Sequence, residues 1–176
     1  MNKNNYIILY FLLAIGITFR FLPHTANFVP IGAIAIFSGL YFPKKYAIII
    51  PVIALIISDF FIGFYSWQIM LSVYGSFVIM GLLGLLARKN KSFGKIAGAT
   101  ILGSLIFFLI TNASVWIFGT MYSHSISGLI ESYYMALPFF KNSLMGDIFY
   151  TFILVGTTES VLYYQNKKST KQSINI

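Results

Sequence analysis

Two aspartates, Asp59 and Asp147, stand inside apolar runs of the 176-residue sequence, and Arg20, His24 and Asn27 gather in one stretch, FRFLPHTANFVPIGA, at residues 19 to 33. An aspartate in the middle of a bilayer costs about 2.5 to 3.5 kcal/mol on insertion scales, so both carboxyls are expected to face protein or water. Each needs a partner. Arg20 is the natural one, because guanidinium offers five donors and keeps its charge when partly buried. Asn112 and Trp116 lie one helical turn apart and share a helix face, and Glu131, Lys141 and Asn142 belong to a connecting segment. Residues of these types suit recognition of a polar solute better than bond-breaking. Scattered single carboxylates are ordinary in transporters, and neither an H-E-x-x-H metal spacing nor a G-x-x-x-x-G-K-[ST] phosphate loop occurs. The expectation is a binding protein with no enzymatic activity, no cofactor and no metal.

Each of these residues also has a purely structural reading. Arg20 and Asp59 fit an ion pair that fixes helix register. His24 fits a loop hydrogen-bonder, and Asn112 an interhelical bridge. The aromatic set Phe60, Phe61, Phe64, Tyr65 and Trp67 fits an interfacial belt better than a pocket wall.

The elements that must position these groups follow from composition. The chain is 58% hydrophobic and 9% charged, too apolar for a soluble domain to cover itself with polar surface. Apolar runs at 6 to 22, 28 to 42, 46 to 66, 67 to 87, 96 to 118 and 144 to 164 predict an all-α bundle of six transmembrane helices in a lipid bilayer. The second run reaches only about 22 Å, against a hydrocarbon core of about 30 Å, so it is a short span or a re-entrant element. The net charge of +8 sits in clusters between the runs, a topological pattern that argues against a nucleic-acid partner. With six crossings, Lys3, Lys44, Lys45, Arg88, Lys89, Lys91, Lys95, Lys167, Lys168 and Lys171 share one side, and only Arg20 and Lys141 take the other. That asymmetry predicts both ends in the cytoplasm. The polar groups then collect at the outer end of the bundle, as an outward-facing pocket would require.

No A-x-A-like site follows the first run, so the segment is expected to be retained as a span rather than cleaved. The absence of cysteine removes disulfides and thiol chemistry. Residues 1 to 166 read as a single helical domain and 167 to 176 as a polar cytoplasmic tail without fixed structure. Between the fifth and sixth runs, a short surface helix capped by Ser127 and stopped before Pro138 is expected, with Leu129, Ile130, Tyr133 and Leu137 on its apolar face. Ala14 and Thr18, Ala35 and Gly39, and Gly94, Gly98 and Gly103 mark places where helices can approach closely.

Four segments, RFLPH…NFVPIGA at 20 to 33, SDFFIGF at 58 to 64, TNASVW at 111 to 116 and LPFFKNSLMGDIFYT at 137 to 151, together resemble an uncharacterised family of small bacterial membrane proteins described as candidate transport proteins. The resemblance covers nearly the whole chain. That family is similar to the substrate-binding S components of energy-coupling factor transporters, which have six helices, cytoplasmic termini and a loop-covered pocket near the outer surface. The resemblance implies a bacterial cytoplasmic-membrane protein that takes up a vitamin-like solute. It makes Arg20, His24, Asn27, Asp59, Asn112, Trp116, Asn142 and Asp147 the pocket or gate residues. Thr25 and Ala26 stand where the family pattern has prolines. Contact with a transmembrane coupling subunit, energised by ATPase subunits, is implied for Ala14 and Thr18, where S components commonly carry two alanines. The alternatives are a structural or assembly subunit and, less favoured by the motifs, an intramembrane enzyme.

Overall fold

A computed structural model describes residues 3–23 and 25–174, apart from the side chains of residues 3–6, 9, 165–166 and 168–174. Six helices follow one another: α1 (Lys3–Phe21), α2 (Ile31–Tyr41), α3 (Lys44–Ile62), α4 (Trp67–Ala87), α5 (Phe93–Phe118) and α6 (Ile126–Ile174), with a 3-10 turn at Arg88–Asn90. Three segments, Lys44–Ile62, Trp67–Asn90 and Phe93–Phe118, are long and apolar enough to cross a membrane. Tyr10–Phe21 and Ile31–Tyr41 are shorter apolar helices.

The doubtful second run is the centre of the fold. Every residue from Ile31 to Leu40 is buried, as expected of a helix that is apolar all round. With 11 residues it is only about 16 Å long, too short to cross hydrocarbon unaided. Around it pack α3, α4, α5 and α6, while α1 lies mainly against α3. Proline supplies both of its boundaries. Pro30 precedes the first turn, its carbonyl accepting from Ile34 N at 2.8 Å, and Pro43 separates α2 from α3.

Close approach to α2 is made possible by glycine. A β-carbon at Gly84 would overlap the Ile36 carbonyl, one at Gly39 the Gly81 carbonyl, and one at Gly81 the Ala47 carbonyl of α3. The last contact has a cause in sequence. Pro51 lies inside α3 and has no N–H, so the Ala47 carbonyl four residues earlier loses its helical donor, and the bare α-carbon of Gly81 is packed against it.

The region after α5 departs from expectation. Rather than a short helix ending before Pro138, one helix of 49 residues runs from Ile126 through Pro138 to Ile174. Its N-cap is Ser125, not Ser127: Ser125 Oγ accepts from Gly128 N at 3.2 Å, and its carbonyl accepts from Leu129 N at 3.0 Å. Pro138 and Tyr134, whose carbonyl the proline leaves without a donor, lie on the exposed side. On the opposite side small residues hold the helix down, with Gly128, Ser132, Ala136, Ser143, Asp147 and Thr151 all buried. The inward face is therefore this small stripe; Leu129 and Tyr133 are only half-buried, and Ile130 and Leu137 are exposed. Nor does the helix stop at residue 166, since the segment that follows contains no glycine or proline to end it.

Candidate functional site

Contacts along the bundle give it two chemically different ends. At one end Arg88 Nη1 donates to the Phe42 carbonyl at 2.9 Å, and Lys91 Nζ lies 3.3 Å from Glu159 and 3.9 Å from the Tyr41 ring centroid. The opposite end carries Arg20, Asn27, Asp59 and Asn112. There Arg20 Nη1 meets Asp59 Oδ1 at 2.7 Å and donates to Ser58 Oγ at 2.7 Å. Ser58 in turn donates to the Ala54 carbonyl, and Tyr74 OH donates to the other Asp59 oxygen at 2.6 Å. Asp59 is 1% exposed and Arg20 20%, so the carboxylate is fully enclosed and its guanidinium partner closes the enclosure. Of the two aspartates expected to need Arg20, Asp59 has it.

Asp147, 6% exposed, is held differently. Ser104 Oγ lies 2.6 Å from Asp147 Oδ2 and 3.0 Å from the Thr100 carbonyl, and its single proton is best used on the nearer oxygen. Gly32 of α2 makes room for Asp147: a β-carbon there would overlap Asp147 Oδ1 and crowd the Met80 methyl at 2.7 Å.

Beneath the α1–α2 connection lie three adjoining cavities. One, about 300 Å³, is lined by Arg20, Asn27, Val29, Phe77 and Phe107 among others. A second, about 50 Å³, has Asn27, Phe77, Phe107, Ser143 and Asp147 in its walls. A third, about 170 Å³, is bounded by Asn27, Phe107, Phe108, Thr111, Asn112, Phe140 and Ser143. Asn27 and Phe107 border all three, so the cavities adjoin as one group, the chamber, with aromatic walls and a few polar groups. Asn27 owes its place to an unusual backbone: its φ of 64° lies in the left-handed region, which asparagine tolerates better than most residues, inside a turn closed by Phe28 N to Thr25 O at 2.9 Å. From α6, Asn142 Nδ2 donates to the neighbouring Ala26 carbonyl at 3.1 Å and ties the connection down.

Arg20, Asn27, Asn112 and Asp147 thus line the chamber. Asp59 stands behind Arg20, and Asn142 holds the overlying turn. Trp116 points elsewhere, its indole donating to the Ser123 carbonyl at 3.0 Å and its ring lying against His124. His24 lies outside the described residues. Ala14 and Thr18 are exposed on α1. Phe60, Phe61, Phe64, Tyr65 and Trp67 are all exposed, as a belt would be.

Sequence reasoning missed Ser58, Tyr74, Phe77, Ser104, Phe107, Thr111 and Ser143. Ser143 carries a usable signal, standing one helical turn before Asp147, and Thr111 adjoins Asn112. Nothing in spacing links Tyr74 to Asp59 or Ser104 to Asp147, because each pair joins two different helices. Among the described residues no three His, Cys, Asp or Glu side chains gather as a metal site would require.

A larger cavity of about 530 Å³ lies at the lysine end, between α5 and α6. Its ionic groups, Lys91 and Glu159, are already engaged with each other and with Tyr41. The chamber at the Arg20 end has polar groups to spare.

Apolar helices around a buried core, three of them long enough to cross a membrane, define a helical membrane protein. Over residues 1–171 the chain belongs to a family of unknown function, DUF6580. No curated protein and no solved structure matches it.

Proposed function

We propose that this chain is a solute-binding membrane subunit of the S-component kind, capturing a small vitamin-like molecule from outside a bacterial cytoplasmic membrane for uptake. The observation that carries the reading is the sharing of Asn27 and Phe107 by three adjoining cavities under a turn pinned to α6. Concave, mostly apolar sites with a few aimed polar groups are the usual form of a small-molecule site. In this reading the six helices alternate across the membrane, with α2 as a short central element. The termini and the lysine-rich end face the cytoplasm, and the chamber faces out. Binding precedes a rearrangement of the α1–α2 connection, with no covalent step. Ala14 and Thr18, exposed on α1, are where a transmembrane coupling subunit would dock. Energy comes from partner ATPases, since the chain has no phosphate loop of its own.

The direct test is a thermal-shift screen of the purified chain against vitamins, vitamin precursors and metal ions. A ligand that binds only the folded state raises apparent stability, and the more so the further its concentration exceeds Kd. At least one compact solute is expected to do so, and a silent screen would favour the structural-subunit reading. The orientation is tested separately by single-cysteine labelling in intact cells, which is clean in a chain without cysteine. A cysteine at Ser125 should react with an impermeant reagent and one at Asn90 should not. Reaction at Asn90 alone would invert the topology.

A further inference from the structure

Building on the solute-binding reading, we infer that the chamber takes a compact organic cation, with an ammonium or amidinium group on Asp147 and a small flat body among the phenylalanines. Arg20 is committed to Asp59, and Tyr74 adds a hydroxyl to the same carboxylate. Among the described residues Asp147 has only Ser104, on Oδ2. Its Oδ1 makes no hydrogen bond among the described residues, and Asp147 lines the cavity of about 50 Å³. Lys141, on the same helix, is exposed and lines none of the three cavities.

Two further groups add acceptors. Thr111 Oγ1 donates to the Phe107 carbonyl, and Asn112 Nδ2 to the Phe108 carbonyl, each at 2.7 Å. That leaves the threonine hydroxyl oxygen and the asparagine carbonyl oxygen as acceptors, with one amide proton of Asn112 still unspent. These acceptors, together with Asp147 Oδ1, are complementary to donor groups on a solute. The adjoining cavity of about 170 Å³ is walled by Phe107, Phe108, Phe139 and Phe140, whose ring faces also favour a cation. Calcium or magnesium asks for six or more oxygens. Among the described residues a single carboxylate with one bonded hydroxyl falls short of that, yet suits an ammonium or amidinium.

The test uses the full-length protein in nanodiscs and four ring-matched probes: benzylammonium, benzamidinium, benzyl alcohol and benzoate, with sodium and potassium chloride as separate arms. Both organic cations should raise the apparent melting temperature and bind about ten-fold or more tightly than the neutral and anionic probes, as one extra charge-assisted hydrogen bond implies. Asp147→Asn should remove that preference, and Asp147→Glu should keep part of it. The series on the unaltered chain decides the claim even if a variant fails to fold. Equal or tighter binding of benzyl alcohol or benzoate overturns the charge assignment and leaves solute binding standing. Stabilisation by sodium or potassium alone, or silence from all four probes, also overturns it; the vitamin screen then decides separately whether the chamber binds a solute at all.

Discussion

Gly81→Ala is expected to remove most of the folded protein. Overpacking a well-filled interior costs about 1 to 3 kcal/mol and occasionally more. Here the added methyl meets the backbone carbonyl of Ala47, which cannot rotate away as a side chain would. Pro51 fixes that carbonyl's predicament, since it is the helical donor missing from the turn. Separating α3 from α4 to admit the methyl would also disturb α2, because Gly39 backs onto the Gly81 carbonyl. The loss should therefore reach or pass the top of that range. Gly98→Ala is the control, for a β-carbon there meets nothing within 4 Å. It should leave yield and thermal stability unchanged or slightly raised, alanine being the better helix former. Size-exclusion profiles and melting of the two variants in detergent measure the contrast. Equal behaviour would mean that the helices do not meet at Gly81.

Breaking the Arg20–Asp59 pair is the second large effect. Removing one member of a buried ion pair costs about 3 to 5 kcal/mol, because the survivor is left buried and uncompensated. Asp59, at 1% exposed, is the more severely stranded of the two, so Arg20→Gln should be at least as damaging as Asp59→Asn. Joined in one chain, the two substitutions should cost clearly less than their separate losses added together. Tyr74→Phe provides a smaller companion effect, removing one hydroxyl from the same carboxylate. Melting temperatures of the four chains in a double-mutant cycle give the coupling directly. Additive losses would show that the pair does not act as a unit.

Much of this was legible in the sequence because the bilayer makes polar residues expensive. Arg20, Asn27, Asn112 and Asp147 stood out as polar groups at one end of apolar runs, and they line the chamber. The shortness of the second run was legible too. Its role as the buried centre was not, because periodicity says how a helix faces and not what surrounds it. Trp116 was read from its spacing with Asn112, but a shared helix face fixes direction only to within the width of a side chain, and the Ser123 carbonyl claims its indole. The helix through Pro138 was misread for a related reason. Proline disfavours helix locally, whereas the small residues of α6 packed against the bundle on both sides of it favour continuation. The aromatic walls, Phe77, Phe107, Phe108 and Phe140, carried no signal among 18 phenylalanines.

The claim that one chamber holds the solute is tested most directly at Asn27, which borders all three cavities while its backbone sits at φ 64°. Glycine adopts that φ freely, so Asn27→Gly removes the amide without straining the turn. Binding of a solute recovered from the screen should be measured by titration calorimetry on the unaltered chain and on Asn27→Gly. The account predicts an unchanged melting temperature without ligand and an affinity weakened about ten-fold, the worth of roughly one well-placed hydrogen bond. Unchanged affinity in a normally folded Asn27→Gly protein would contradict it.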